Sequence, residues 1–177
     1  MTPAIAIAKP LYRVLRSSAL IAAMAAAPLV AMASEDTPTD PVPTPPAFDP
    51  MAASNVLIRA ISLVGTPYTW GGNTPESGFD CSGLVNYVFR DMLNLQLPRN
   101  SRELAAWGRQ DVAATQLQTA DLVFFGQSGV ISHVGIYVGD GRFVHAPSSG
   151  GTVRLDRLDG SYWKARYAGA KRVLGQS

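Results

Sequence analysis

A single cysteine and two histidines bound the nucleophilic chemistry open to this chain. Cys81 stands in Gly78-Phe79-Asp80-Cys81-Ser82-Gly83, just ahead of an apolar helical stripe, so its sulfur is expected at a helix start. There, backbone N–H groups without intrahelical partners and the positive end of the helix dipole favour a thiolate, and the same N–H groups can hold an oxyanion. An isolated cysteine is otherwise a small buried hydrophobe. The flanks Asp80, Ser82 and Gly83 suit a helix start and argue against that bland role.

A nucleophilic thiol needs a base, and His133 in Ser132-His133-Val134-Gly135-Ile136-Tyr137-Val138 and His145 in Arg142-Phe143-Val144-His145-Ala146 are the two imidazoles. The turn Gly139-Asp140-Gly141 decides how they meet. A two-residue Asp140-Gly141 loop pairs Gly139 with Arg142 and sends the histidines to opposite faces. A three-residue loop with Gly141 left-handed pairs Val138 with Arg142 and makes them diagonal neighbours on one face. The alternation of Val134, Ile136 and Val138, matched by Val144, favours the second. His133 is then the candidate base, and His145 the group that holds its other ring nitrogen. Two satisfied structural histidines are one alternative. A zinc site of Cys81, His133 and His145 is another, without close ligand spacing to support it.

The elements that must position these residues follow from periodicity. Residues 55–64 read as a helix ended by Gly65, and residues 82–92 as a second, with Leu84, Val85, Val88, Phe89 and Met92 on one stripe. Asn100 caps a short helix running to Trp107. The period then changes to strands at 122–125, 133–138, 142–146, 152–155 and 169–173. Helices first and strands second, joined by short loops, predict an α+β domain on an antiparallel sheet. Trp70, Phe124 and Phe125 read as core.

Of the 177 residues, 1–33 read as an export signal: Lys9, Arg13 and Arg16, an apolar stretch, then Ala31-Met32-Ala33. The uncharged run 17–34 is Ala-rich and only weakly apolar, which favours a cleaved signal over a retained span and leaves no stable membrane insertion. Residues 34–50, with four acids and six prolines, read as an extended linker, and 51–177 as the folded domain. The formal net charge of +2 speaks against a basic nucleic-acid binder. One cysteine excludes an intrachain disulfide framework and any multi-cysteine metal site. The expected location is outside the inner membrane, periplasmic or secreted.

Six blocks in order carry a resemblance: Gly65-Thr66-Pro67-Tyr68-Thr69-Trp70-Gly71-Gly72, Gly78-Phe79-Asp80-Cys81-Ser82-Gly83-Leu84-Val85, Leu97-Pro98-Arg99-Asn100-Ser101, Asp121-Leu122-Val123-Phe124-Phe125, Ser132-His133-Val134-Gly135-Ile136-Tyr137 and Val144-His145-Ala146-Pro147. Together they resemble the NlpC/p60 cell-wall cysteine peptidases over nearly all of 52–174. The resemblance implies a papain-like fold, with the nucleophile helix packed on a central antiparallel sheet, and hydrolysis of peptide bonds in peptidoglycan stem peptides. It implies Cys81 as nucleophile, His133 as base and His145 as the orienting third residue. Tyr68 would lie beside the nucleophile and help hold substrate or oxyanion; Asp80 and Ser82 would bind a substrate amine. No cofactor or metal is implied. Thr119-Ala120 replaces the family's usual Pro-Gly at one turn. Arg99 and Arg102 are candidates to clamp stem-peptide carboxylates, or plain surface charge. The family cuts either after D-glutamate within the stem or at the D-alanine–diaminopimelate cross-link, and the absence of wall-binding repeats leans toward the cross-link. An amidase or acyl transferase using the same Cys-His site, and a non-catalytic wall-binding module, remain as alternatives.

Overall fold

The computed structural model describes residues 49–107 and 109–175; the expected export signal and all but the last two residues of the expected linker lie outside that range. The first helix, α1 (Pro50–Ser62), begins five residues earlier than periodicity suggested. Asp49 explains the difference: its carboxylate accepts from the N–H groups of Met51 and Ala52, and Pro50 fills the first helical position, where a missing N–H costs nothing. Ala53, Val56 and Ala60 form its buried stripe.

Two short strands, β1 (Asn73–Thr74) and β2 (Gly78–Phe79), make a small hairpin that leads into α2 (Cys81–Leu93). Asn94, left-handed at φ 52°, ends α2. The short helix α3 (Ser101–Ala106) is capped by Asn100, whose side chain accepts from the Glu103 N–H at 2.9 Å, as expected. Then come β3 (Gln110–Asp111), β4 (Leu122–Gln127), β5 (Val130–Gly139), β6 (Arg142–His145), β7 (Arg154–Arg157), the single turn α4 (Ser161–Lys164) and β8 (Tyr167–Arg172).

Six strands form one antiparallel sheet in the order β3-β8-β4-β5-β6-β7. Period-two alternation gives it two apolar faces. Leu122, Phe124, Val134, Ile136 and Val144 face α1 and α2, where they meet Val56, Leu84, Val85, Val88 and Phe89. Val123, Phe125, Phe143 and Ala170 face the other way, onto Trp163 of α4. The α+β class and the helix-on-sheet packing are as the sequence implied.

Two details depart from expectation. The β5–β6 loop is the two-residue one, with Asp140 at φ 50° and Gly141 at φ 68°, and Gly139 pairs with Arg142. These positive angles at both central positions suit the right-handed strand twist. The register then shifts at Val138, so Tyr137 pairs with Phe143 and Ile136 with Val144. This bulge restores the one-face register that a three-residue loop was expected to give. Strand β7 also starts two residues later than predicted. Thr152 bridges to Pro67, and Val153 turns into the helix-side core, leaving 154–157 to pair with β6.

Candidate active site

Cys81 occupies the first residue of α2, with Asp80 as N-cap. The Asp80 carboxylate accepts from the N–H groups of Gly83 (2.6 Å) and Gly71 (3.1 Å), from the Ser82 hydroxyl (3.1 Å), and from both terminal nitrogens of Arg99 (2.9 Å each). Arg99 also donates to the carbonyls of Gly71 and Gly72. Burial alone would raise the Asp80 carboxyl, but the Arg99 and Gly83 hydrogen bonds outweigh it and hold it below the usual carboxylate range. Gly83 is required by this packing: a Cβ there would sit 2.0 Å from the Gly72 carbonyl oxygen. Loop 71–72, the start of α2 and Arg99 are thereby tied into one rigid cradle.

The sulfur itself is half-buried. Burial is the largest influence on it and pushes the thiol up; the Asp80 charge adds to this, while the N–H groups of Val134, Ser82 and Cys81 pull it down. The balance lies above the ordinary thiol value, so the expectation of a resting thiolate is not met. Helix-start N–H groups are present, but desolvation outweighs them.

The Val134 N–H reaches Cys81 from β5, which brings the thiol to the residue next to His133. Its Nε2 lies 2.9 Å from His145 Nδ1, the rings meeting edge to face at 85°. His145 is fully buried. Beneath the two rings lie Phe125, Phe143 and Trp163, with the Trp163 indole stacked 5.2 Å from His133. Burial, with His145 and Arg154 nearby, lowers His133 to about 3; burial lowers His145 to about 4 against the pull of Asp156. Both imidazoles are therefore neutral at neutral pH.

Asp156 of β7 was not singled out from sequence. Its Oδ2 lies 3.0 Å from His145 Nε2 and also accepts from Arg154 Nε (3.2 Å), Arg154 Nη2 (3.0 Å) and Trp163 Nε1 (2.7 Å). Burial raises the Asp156 carboxyl, but the Arg154 and Trp163 hydrogen bonds prevail and keep it ionised. In sequence, Arg154-Leu155-Asp156-Arg157 looks like solvated strand charge; the only local hint was its alternation with Val153 and Leu155.

Tyr68 is half-buried and close enough to Cys81 and Asp80 that, after burial, their charges raise its hydroxyl. Its N–H donates to the Gly151 carbonyl at 2.7 Å. Trp70, expected in the core, is 87% exposed: the hydrogen bonds that pin Gly71 and Gly72 turn its indole outward. Neither expected carboxylate clamp is simply solvated. Arg99 is held by Asp80, and Arg102 donates to the Ile131 carbonyl at 3.3 Å. Among the described residues no group of three His, Cys, Asp or Glu side chains is arranged to hold a metal ion. A cavity of about 270 Å³ opens beside His133, lined by Phe125, Ser132, Pro147, Tyr162, Trp163 and Arg166.

An ionised carboxylate, two neutral imidazoles and a neutral thiol beside helix-start N–H groups can pass a proton off sulfur and stabilise an oxyanion. Comparison with known proteins gives the family of the chain. The NlpC/P60 family profile matches residues 65–172. Over 128 residues the chain is 40% identical to murein DD-endopeptidase MepH of Escherichia coli (strain K12), covering 70% of this chain and 46% of MepH. It is 42% identical over 124 residues to murein DD-endopeptidase MepS/murein LD-carboxypeptidase of the same strain, covering 70% of this chain and 64% of that one. The chain thus spans about half the length of MepH and just under two thirds of MepS. Among solved structures, an NlpC/P60 family protein from Bacillus cereus ATCC 10987 superposes with a TM-score of 0.66 at 31% identity, covering 72% of this chain and 41% of that one.

Proposed function

The chain belongs to the NlpC/P60 family, and from that premise we propose that it is an exported cysteine peptidase that hydrolyses peptide bonds in peptidoglycan stem peptides or their cross-links. The observation that carries this reading is the pairing of His133 Nε2 with His145 Nδ1 next to the β5 residue that touches the Cys81 sulfur. The names of the murein endopeptidases it resembles support the substrate class.

In this mechanism Cys81 gives its proton to His133 Nδ1 as the sulfur adds to the scissile carbonyl. The helix-start N–H groups of Cys81 and Ser82 hold the oxyanion. His133 returns the proton to the leaving amine, the C–N bond breaks and a thioester remains. Water then attacks the thioester with His133 as base, releasing the carboxylate and restoring the thiol. Proton transfer accompanies attack, because sulfur and imidazole are both neutral at rest. His145 holds the His133 ring throughout. Tyr68 lines the substrate side of the thiol, and Asp80 and Ser82 meet the substrate together with the Arg99 guanidinium bound across them. The cavity beside His133 receives the leaving peptide, with Arg166 available to a stem-peptide carboxylate. Residues 51–177 form the catalytic domain, after an export signal (1–33) and a Pro-rich linker (34–50). No helix among the described residues is long and apolar enough to cross a membrane.

The test is digestion of purified peptidoglycan with residues 34–177, followed by mass spectrometry of the fragments. Wild type should release peptides cut within the stem or at the cross-link, and Cys81→Ala none. His133→Ala should fall nearly as far as the cysteine variant, and His145→Ala less. Intact stem peptides freed from muramic acid would make the protein an amidase instead. Equal product from wild type and Cys81→Ala would overturn the cysteine mechanism, and no product from either would overturn the enzyme.

A further inference from the structure

We propose that Asp156 is a positioning residue: acting through His145, it fixes His133 in the tautomer whose Nδ1 lone pair is open to the Cys81 proton. The inference rests on the reading of His133 as the base, and adds to it a group that never touches substrate.

The assignment follows from counting protons along a chain of hydrogen bonds. An ionised carboxylate only accepts. Asp156 Oδ2 has the indole N–H of Trp163 and two N–H groups of Arg154 against it, all obligate donors. His145 Nε2, 3.0 Å from the same oxygen, must therefore carry a hydrogen as well. A neutral imidazole has one N–H, so His145 Nδ1 is a lone pair. The atom 2.9 Å from that lone pair, His133 Nε2, must then donate. His133 has likewise spent its one proton, and its Nδ1 is left basic.

Arg154 gives the arrangement its particular character. A lone carboxylate beside an imidazole would draw a second proton onto the ring and make it cationic. Here Arg154 compensates Asp156, and burial keeps His145 uncharged. The carboxylate then dictates where the His145 proton sits and not how many protons the ring has. A doubly protonated His145 would have no lone pair for His133, and the relay would end there. The strand register supports the design: Asp156 pairs with Phe143 and Arg154 with His145, so all four side chains rise from the same face of β6 and β7.

The test uses histidine tautomers, read from the ring nitrogens by two-bond ¹H–¹⁵N correlation at pH 7. The chain has only two histidines, so a single variant assigns both. In the wild-type protein both should be neutral with the proton on Nε2; a proton on Nδ1 of either ring overturns the proposal without any variant. Asp156→Leu removes the acceptor shared by His145, Arg154 and Trp163, so the His145 Nε2–H loses its partner and a population with Nδ1 protonated should appear. Its kcat on peptidoglycan fragments should drop about 10- to 100-fold with KM unchanged. That is less than the ~10⁴-fold loss for a carboxylate bonded directly to the base, because one imidazole intervenes. Asp156→Glu should recover part of the loss. If Asp156→Leu keeps kcat within about twofold of wild type while His133→Ala is inactive, the positioning role is wrong and the base stands. If His133→Ala itself stays active, it is the reading of the base that fails.

Discussion

At the scale of single residues, the protonation of Cys81 is where structure and sequence part. The flanks that mark a helix start also mark a low-pKa thiol, and periodicity has no access to the burial that reverses this. The sulfur sits under the Val134 N–H and near the Asp80 charge, and the thiol is raised. Its reactivity toward iodoacetamide should therefore climb with pH through and beyond 9, with little rate at pH 5 to 6. A rate plateau in that acid range would reveal a thiolate–imidazolium pair and contradict the neutral resting site. Trp70 teaches a related lesson. An aromatic ring amid Gly-rich sequence reads as core, yet the backbone contacts of Asp80 and Arg99 orient it to solvent from 10 or more residues away.

At the scale of elements, the hairpin β5–β6 does most to build the site. The pairing of His133 with His145 was legible because it depends on the parity of the register, which the alternation of Val134, Ile136 and Val144 with the core fixes. The loop was not legible, since a bulge at Val138 allows a two-residue turn to give the same parity. Asp156 was missed for a topological reason: it comes from a third strand, β7, whose start depends on the Pro67–Thr152 bridge and not on its own sequence. Gly135 makes room for the two rings on this hairpin. A Cβ there would lie 2.6 Å from Phe143 Cδ2 and 3.3 Å from His145 Cβ. Gly135→Ala should cost about 1–3 kcal/mol by overpacking. It should also move His145 away from His133, so activity should fall more than the lost stability explains. Urea unfolding and kcat measured on the same preparation test this, and unchanged values in both would show that the sheet gives way without effort.

At the scale of the whole molecule, two imidazoles held neutral make stability depend on pH. In the unfolded chain each histidine takes up a proton below about 6.5. In the folded chain they resist until about 4 for His145 and about 3 for His133. Between those limits the unfolded state binds more protons, so stability falls as pH falls, by about 1.4 kcal/mol per pH unit for each histidine. Asp80 and Asp156, ionised when folded, withdraw their own contributions further down, as pH drops through their lowered values. Urea midpoints at pH 7, 5.5 and 4.5 should decline steadily; half the expected slope would mean that one of the rings is charged in the native state, and a flat profile from 6.5 to 4.5 that both are.

The Asp80–Arg99 tie carries a consequence for the order of events in the life of the chain. Arg99 reaches back 19 residues to Asp80 and 28 to Gly71. Such long loop closures come with the completed domain and not with α2 alone. A newly made chain can wind the helix that begins at Cys81 and still lack the cradle around the sulfur. The thiol acquires its special surroundings only when these distant pieces dock, so the proposed site is completed by the finished fold and not by the helix alone.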